Sequence, residues 1–137
     1  MKIMLVDDNQ TFLDGLRFLI ESNKEYKVIA EAHDGKEALD LISKKIPELV
    51  LMDIEMPRIN GLDATKRILW KFPKIKFIAI TMYQDKAYLS ELICAGFKGC
   101  IFKNHVSDEL WKAIKAVSRG KFFFPEDILL ENEKDFD

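Results

Sequence analysis

Short apolar runs and helical stripes alternate along the chain. Ile3-Met4-Leu5-Val6, Leu49-Val50-Leu51-Met52 and Phe77-Ile78-Ala79-Ile80 are unbroken apolar runs. Runs of this length, bounded by turn residues, predict strands buried on both faces, as in the middle of a parallel sheet. Tyr26 to Ala32, with Val28, Ile29 and Ala30, is a more polar run and predicts a strand at or near the sheet edge. Gly99 to Phe102 predicts a short fifth strand.

Between the runs, apolar residues recur at helical spacing. Phe12, Leu13, Leu16, Leu19 and Ile20 share one face, and Ser22-Asn23 ends that helix. Asp34 can cap a second helix with Ala38, Leu41 and Ile42 inward, closed by Pro47. A third is predicted from about Leu62 to Phe72, with Leu62, Thr65, Ile68, Leu69 and Phe72 on one side and Pro73 as its stop. A fourth covers roughly Gln84 to Ala95, with Tyr88, Leu89, Leu92 and Ile93 as its stripe and Gly96 as C-cap. A fifth begins near Ser107 as N-cap, buries Leu110, Ala113, Ile114 and Val117, and ends at Gly120.

Five strand–helix alternations predict an α/β fold, a doubly wound (βα)5 parallel sheet with helices on both faces. The 137 residues form one domain over 1–119, followed by a tail or linker over 120–137. A hydrophobic fraction of 48% and a charged fraction of 32% suit a globular protein. The formal net charge of −2 gives no global basic field for nucleic acid. There is no signal-peptide layout and no apolar run long enough for a bilayer, so the expected location is the cytoplasm. Cys94 and Cys100 lack zinc-type spacing and are expected to be buried free thiols.

The polar residues that end the strands carry the chemistry. The first strand delivers Asp7 and Asp8, the third Asp53, the fourth Thr81 and the fifth Lys103. In a parallel sheet these ends share one edge, where open α/β folds bind ligands. Clustered carboxylates repel unless a cation joins them, and oxygen ligands of this kind suit Mg²⁺ completed by phosphoryl oxygens. A lysine and a hydroxyl opposite can hold the other phosphoryl oxygens, and one carboxylate can act as nucleophile to give an acyl phosphate.

Val6-Asp7-Asp8-Asn9, Asp53-Ile54-Glu55-Met56-Pro57 with Asn60-Gly61, Thr81, and Lys103 shortly after Gly99 together resemble the receiver domain of bacterial two-component response regulators. The resemblance covers Lys2 to about Arg119 and implies the flavodoxin-like strand order 2-1-3-4-5. It implies Asp53 as phosphoacceptor, Asp7 and Asp8 as the acidic Mg²⁺ pocket with Asp8 the direct ligand, and the backbone carbonyl of Glu55 completing the metal site. Lys103 pairs with Asp53 and then with its phosphoryl group, and Thr81 swings toward that group. The implied partner is a sensor histidine kinase. The protein is then a phosphoacceptor that assists its own phosphotransfer and dephosphorylation, not a conventional enzyme. The face of helix four, strand five and helix five is the expected signalling surface, where a homodimer can form.

Cys100 stands where this family usually places the aromatic switch residue, three positions before the lysine. Asn104 stands where a cis proline is common, so its peptide bond should be trans. Met82 is larger than the usual neighbour of the switch threonine. Glu55 and Tyr83 border the implied water route to the aspartyl phosphate. His105 and His33 are read as solvated residues. Gly120-Lys121-Phe122-Phe123-Phe124-Pro125 resembles the start of the linker in NarL/LuxR-type regulators. This implies control of a transcriptional output domain, with nucleic acid contacted only through a missing C-terminal helix-turn-helix. The rings of Trp111, Tyr88 and most of the Phe122–Phe124 run are expected to cover the core. The alternatives are a stand-alone, phosphorylation-independent protein-interaction receiver, and an aspartate-nucleophile hydrolase whose usual second acid would have to be Glu55. No Gly-rich phosphate loop supports a nucleotide site.

Overall fold

The computed structural model describes residues 1–55, 60–82 and 86–125, with Lys86 and Ala87 described by backbone only. Met56, Pro57, Tyr83, Gln84 and the tail beyond Pro125, all named above, lie outside the described residues. Five strands, β1 (Lys2–Val6), β2 (Lys27–Ala32), β3 (Leu49–Asp53), β4 (Lys76–Thr81) and β5 (Gly99–Phe102), alternate with five helices. These are α1 (Gln10–Glu21), α2 (Gly35–Ile42), α3 (Gly61–Lys71), α4 (Lys86–Ala95) and α5 (Val106–Ser118). All strand pairs are parallel, in the order β2-β1-β3-β4-β5.

The strand alternation splits the core into two layers. Met4, Val6, Val50, Met52, Phe77 and Ala79 face one side, where they meet α2, α3 and α4. Ile3, Leu5, Leu49, Leu51, Ile78 and Ile80 face the other, against α1 and α5. Every residue of β3 is buried, which is why its sequence carries no polar alternation. β2, at the sheet edge, alternates buried and half-buried positions. Each large side chain so buried contributes about 1.5–3 kcal/mol.

Three helices start on side-chain caps. Asn9 accepts from Phe12 N–H, Asp34 from Glu37 N–H and Asn60 from Asp63 N–H. The fifth helix differs from expectation. A 3-10 turn, Lys103–His105, leads straight into Val106, so Ser107 sits inside the first turn and caps nothing. Asp108 and Glu109 in that turn complement the helix dipole instead. α2 ends at Ile42 rather than reaching Pro47.

The fourth helix corrects two further expectations. Cys94 is exposed, not buried. Ile93 is also exposed. With Leu89, Leu92 and Ala95 turned inward, the 3.6-residue period places positions 93 and 94 on the outer face. Gly96 follows with φ +104°, the left-handed conformation that ends many helices.

After α5 the chain returns to the sheet. Phe123 forms an isolated parallel bridge with Gly99 on the outer edge of β5. Phe124 is buried in the layer that holds Cys100 and α4, while Phe122 is exposed. Trp111 is half-buried and packs on Tyr26, with ring centroids 5.2 Å apart. Among the described residues no helix is long and apolar enough to cross a membrane.

Candidate functional site

The register places the strand ends side by side. Met52 pairs with Val6 and Asp53 with Ile80, so β1 and β3 release their carboxylates together. Strand parity puts Asp7, Asp53 and Lys103 on the α1/α5 side, in phase with Leu5, Leu51 and Ile101. Thr81 falls on the opposite side, in phase with Phe77 and Ala79.

Asp7 and Asp53 are buried, and Asp8 is exposed. One oxygen of each lies within 4.8 Å of the others. Backbone turns fix the two buried groups. Asn9 N–H donates to Asp7 Oδ1 at 2.8 Å, and Glu55 N–H donates to Asp53 Oδ1 at 3.0 Å. Lys103 Nζ stands 2.9 Å from Asp7 Oδ2 and 3.6 Å from Asp53 Oδ2. It also lies 4.7 Å from the Phe12 ring centroid, a cation–π distance. Thr81 Oγ1 donates to Glu55 Oε1 at 3.4 Å, a long contact that brings a fourth carboxylate to the site.

Burial pushes the Asp53 carboxyl up to about 6. The Glu55 N–H and the Lys103 charge pull it down, whereas the charges of Asp7 and Glu55 push it up. Burial would lower the Lys103 ammonium, but its contact with Asp7 and the Asp53 charge outweigh that and leave it raised. The site is thus an anion-rich pocket with one cation on its inner side.

These donors fit Mg²⁺. Asp7 Oδ2 is buried beside the Lys103 ammonium at 2.9 Å, and a carboxylate oxygen so placed still has a lone pair to offer a cation. The carboxylate oxygens of Asp7, Asp8 and Asp53 all lie within 4.8 Å of one another, so a small inward movement would set them around one ion at bonds of about 2.1 Å. Exposed Asp8 leaves the metal position open to water on one side.

The structure therefore brings together Asp7, Asp8, Asp53, Glu55, Thr81 and Lys103, and it sets Cys100 apart. Cys100 is buried on β5, and burial first, then the Glu109 charge, pushes its thiol up to about 12. No described peptide bond is cis, including the one before Asn104. His105 is exposed, and His33 sits between Glu37 and Gln10, with Nε2 2.6 Å from Gln10 Oε1.

Two contributors escape a reading by residue chemistry. Phe12 reads as core, yet its ring covers the Lys103 ammonium. Its place one turn after Asp7-Asp8-Asn9 was the available signal. Gly61 reads as a turn residue, but its missing side chain lets α3 lie against the end of β3. A Cβ there would stand 2.5 Å from the Asp53 carbonyl oxygen.

A five-stranded parallel sheet with an acidic trio and a lysine on its carboxyl edge defines a receiver-type α/β domain. The sequence matches the response regulator receiver domain over residues 3–115, and the chain belongs to that family. Its relatives are transcriptional regulators of the DegU and LuxR type. It is 32% identical over 120 residues to the transcriptional regulatory protein DegU of Brevibacillus brevis, covering 88% of this chain and 51% of that protein. It is 37% identical over 128 residues to YdfI of Bacillus subtilis, covering 93% and 60%. The chain thus spans little more than half the length of these relatives. A LuxR-family response regulator from Aurantimonas superposes with a TM-score of 0.90 at 34% identity, covering 99% of this chain and 98% of that one. The isolated receiver of RcsB from Salmonella enterica, with the phosphomimetic BeF3−, gives 0.85 at 27% identity, covering 93% and 95%.

Proposed function

We propose that this receiver accepts a phosphoryl group on Asp53 from the phosphohistidine of a sensor histidine kinase. The observation that carries the reading is the convergence of Asp7, Asp8 and Asp53 from two strands onto one point, with the Lys103 ammonium beside them. A carboxylate oxygen of Asp53 attacks phosphorus, the P–N bond of the donor breaks, and an acyl phosphate results. Asp7, Asp8, Asp53 and the Glu55 carbonyl would hold Mg²⁺, which when bound neutralises charge on the transferring oxygens. Lys103 moves from carboxylate to phosphoryl oxygen, and Thr81 leaves Glu55 to donate to another. The raised Asp53 carboxyl is kept ionised at neutral pH by these cations.

The chain is a stoichiometric acceptor on this reading, and it goes with a cytoplasmic location and a longer regulator that controls transcription. RcsB has been seen as dimers on DNA. For this chain we propose pairing through the face of α4, β5 and α5, with DNA contacted only by a segment outside these residues.

The test is intact mass after incubation with acetyl phosphate, with and without Mg²⁺, beside Asp53→Ala. One Mg²⁺-dependent phosphoryl adduct, absent in the variant, is expected. No adduct under conditions that label another receiver would refute the reading and favour a phosphorylation-independent interaction domain, for which Cys100 at the switch position is the supporting feature.

A further inference from the structure

A closed circuit of contacts runs from the acidic site through the start of α1 and back. Asn9 N–H donates to Asp7 Oδ1 at 2.8 Å, and Phe12 N–H donates to Asn9 Oδ1 at 3.2 Å. The Phe12 ring faces the Lys103 ammonium, with Nζ 4.7 Å from its centroid. Lys103 Nζ closes the circuit on Asp7 Oδ2 at 2.9 Å. The turn that fixes the Asp7 carboxylate therefore also fixes the aromatic face that meets Lys103. Phe12 is half-buried and packs on the layer of Leu5, Leu51 and Ile101 that faces α1 and α5.

An ammonium has three N–H donors and no acceptor. Asp7 draws it in one direction and Asp53, at 3.6 Å, in a second. The Phe12 face stands in a third. A ring face attracts the charge through its quadrupole, yet it fixes no directional hydrogen bond. The backbone alone does not confine the ammonium. Lys103 opens a three-residue turn at the mouth of the site, and its side chain is 20% exposed. A lysine ammonium is strongly hydrated and sits on a flexible four-carbon stem, so without the ring it would be drawn out to water.

We propose that Phe12 is a positioning residue for phosphoryl transfer: its ring holds the Lys103 ammonium beside Asp7 and Asp53, within reach of the incoming phosphoryl group. The inference deepens the phosphoacceptor reading above and rests on it. Lys103 has to leave a carboxylate for a phosphoryl oxygen as transfer proceeds. A third carboxylate around the ammonium would resist that exchange, and water on the open side would draw the charge outward. A π face does neither. It attracts without a directional bond, so the ammonium can slide across it from Asp7 toward phosphorus. Phe12 forms no bond and moves no proton in the step; the P–N bond of the donor still breaks as the Asp53 oxygen bonds to phosphorus. Packing alone would ask only for apolar bulk at position 12, whereas this role asks for an aromatic face.

The test is a double-mutant cycle on the rate at which the full chain takes a phosphoryl group from acetyl phosphate with saturating Mg²⁺, followed by intact mass. Phe12→Leu keeps an apolar side chain and removes the face. It should slow adduct formation about fivefold, which is about 1 kcal/mol and the size of a cation–π contact at a partly exposed site. Phe12→Tyr keeps the face and should stay within about twofold of the wild type. In the Lys103→Ala background, Phe12→Leu should change the rate by less than about twofold. Where Lys103→Ala takes up too little to time, the contrast between leucine and tyrosine decides. Phe12→Met stands in if urea unfolding shows that Phe12→Leu does not fold. A leucine variant that reacts at the wild-type rate, or is slowed equally with and without Lys103, would overturn the role of Phe12 and leave the phosphoacceptor reading standing. So would a tyrosine variant slowed as much as leucine. A wild-type chain that takes no phosphoryl group would overturn both.

Discussion

Replacing Asp53 by asparagine should make the fold more stable at neutral pH. Asp53 is held where burial opposes its charge, and its carboxyl rises from the ordinary 3.8 to about 6. With about 1.4 kcal/mol for each tenfold in proton affinity, the ionised group costs the folded chain about 3 kcal/mol. The sign follows from linkage. Below pH 3.8 the carboxyl is neutral in both folded and unfolded chain, and it costs nothing. As pH rises from about 4 the unfolded chain ionises first, and stability falls until the folded carboxyl also ionises near 6. Above about pH 7 the loss is constant. Asparagine keeps the shape and the acceptor for Glu55 N–H without the charge. Urea unfolding without Mg²⁺ should therefore show a midpoint about 1.5 M higher for Asp53→Asn at pH 7.5, for an m-value of about 2 kcal/mol/M. The two proteins should converge near pH 4. Saturating Mg²⁺ should raise the wild-type midpoint far more than that of the variant, because binding to the folded state adds RT ln(1 + [L]/Kd). Equal stabilities at pH 7.5, or a difference that persists unchanged at pH 4, would refute the argument from buried charge.

Other substitutions test other parts. Gly61→Ala should lose about 1–3 kcal/mol in thermal or urea unfolding, because its Cβ meets the backbone of Asp53 and Ile54 rather than a flexible side chain. Asn60→Ala should cost about 1 kcal/mol by removing the cap of α3, read by the same unfolding curves. Lys103→Ala should still take some phosphoryl group from acetyl phosphate, read by intact mass, but give a weaker conformational response, because the ammonium beside Asp7 and Asp53 is gone. Trp70→Ser should leave stability within about 0.5 kcal/mol, since the indole is 91% exposed on α3.

Most of the architecture was legible because burial writes itself plainly in this chain. Three strands with no polar interruption could only be interior, and the polar residue ending each run had to lie on one edge. The order of those strands was not legible from periodicity. It came from the family resemblance, and the pairing of β1 with both β2 and β3 bears it out. Errors gathered where an apolar or small residue sits on an outer face. Cys94 and Ile93 have core-like chemistry but the wrong phase on α4. Ser107 looks like a cap only if the 3-10 turn before it is unseen. The exposure of Phe18 on α1 has no explanation in the structure. Within the site, residue types announced Asp7, Asp8, Asp53, Thr81 and Lys103. The contact of Glu55 with Thr81 and the cover of Phe12 over Lys103 depend on side-chain reach across elements, which no spacing in the sequence reports.

The short bridge at Gly99 also decides how safely the domain can be trimmed. A chain cut after Gly120 would keep every helix and strand among the described residues. It would also bare the outer edge of β5, where the Cys100 N–H and the Lys98 carbonyl would lose their partners. That edge belongs to an apolar strand with neither a proline nor a charge in it, the kind that templates pairing with another molecule. Such a trimmed chain should be prone to aggregate through β5, while one that retains Phe124 should stay dispersed. The aromatic residues that look like the beginning of something else are, for this sheet, its finishing edge.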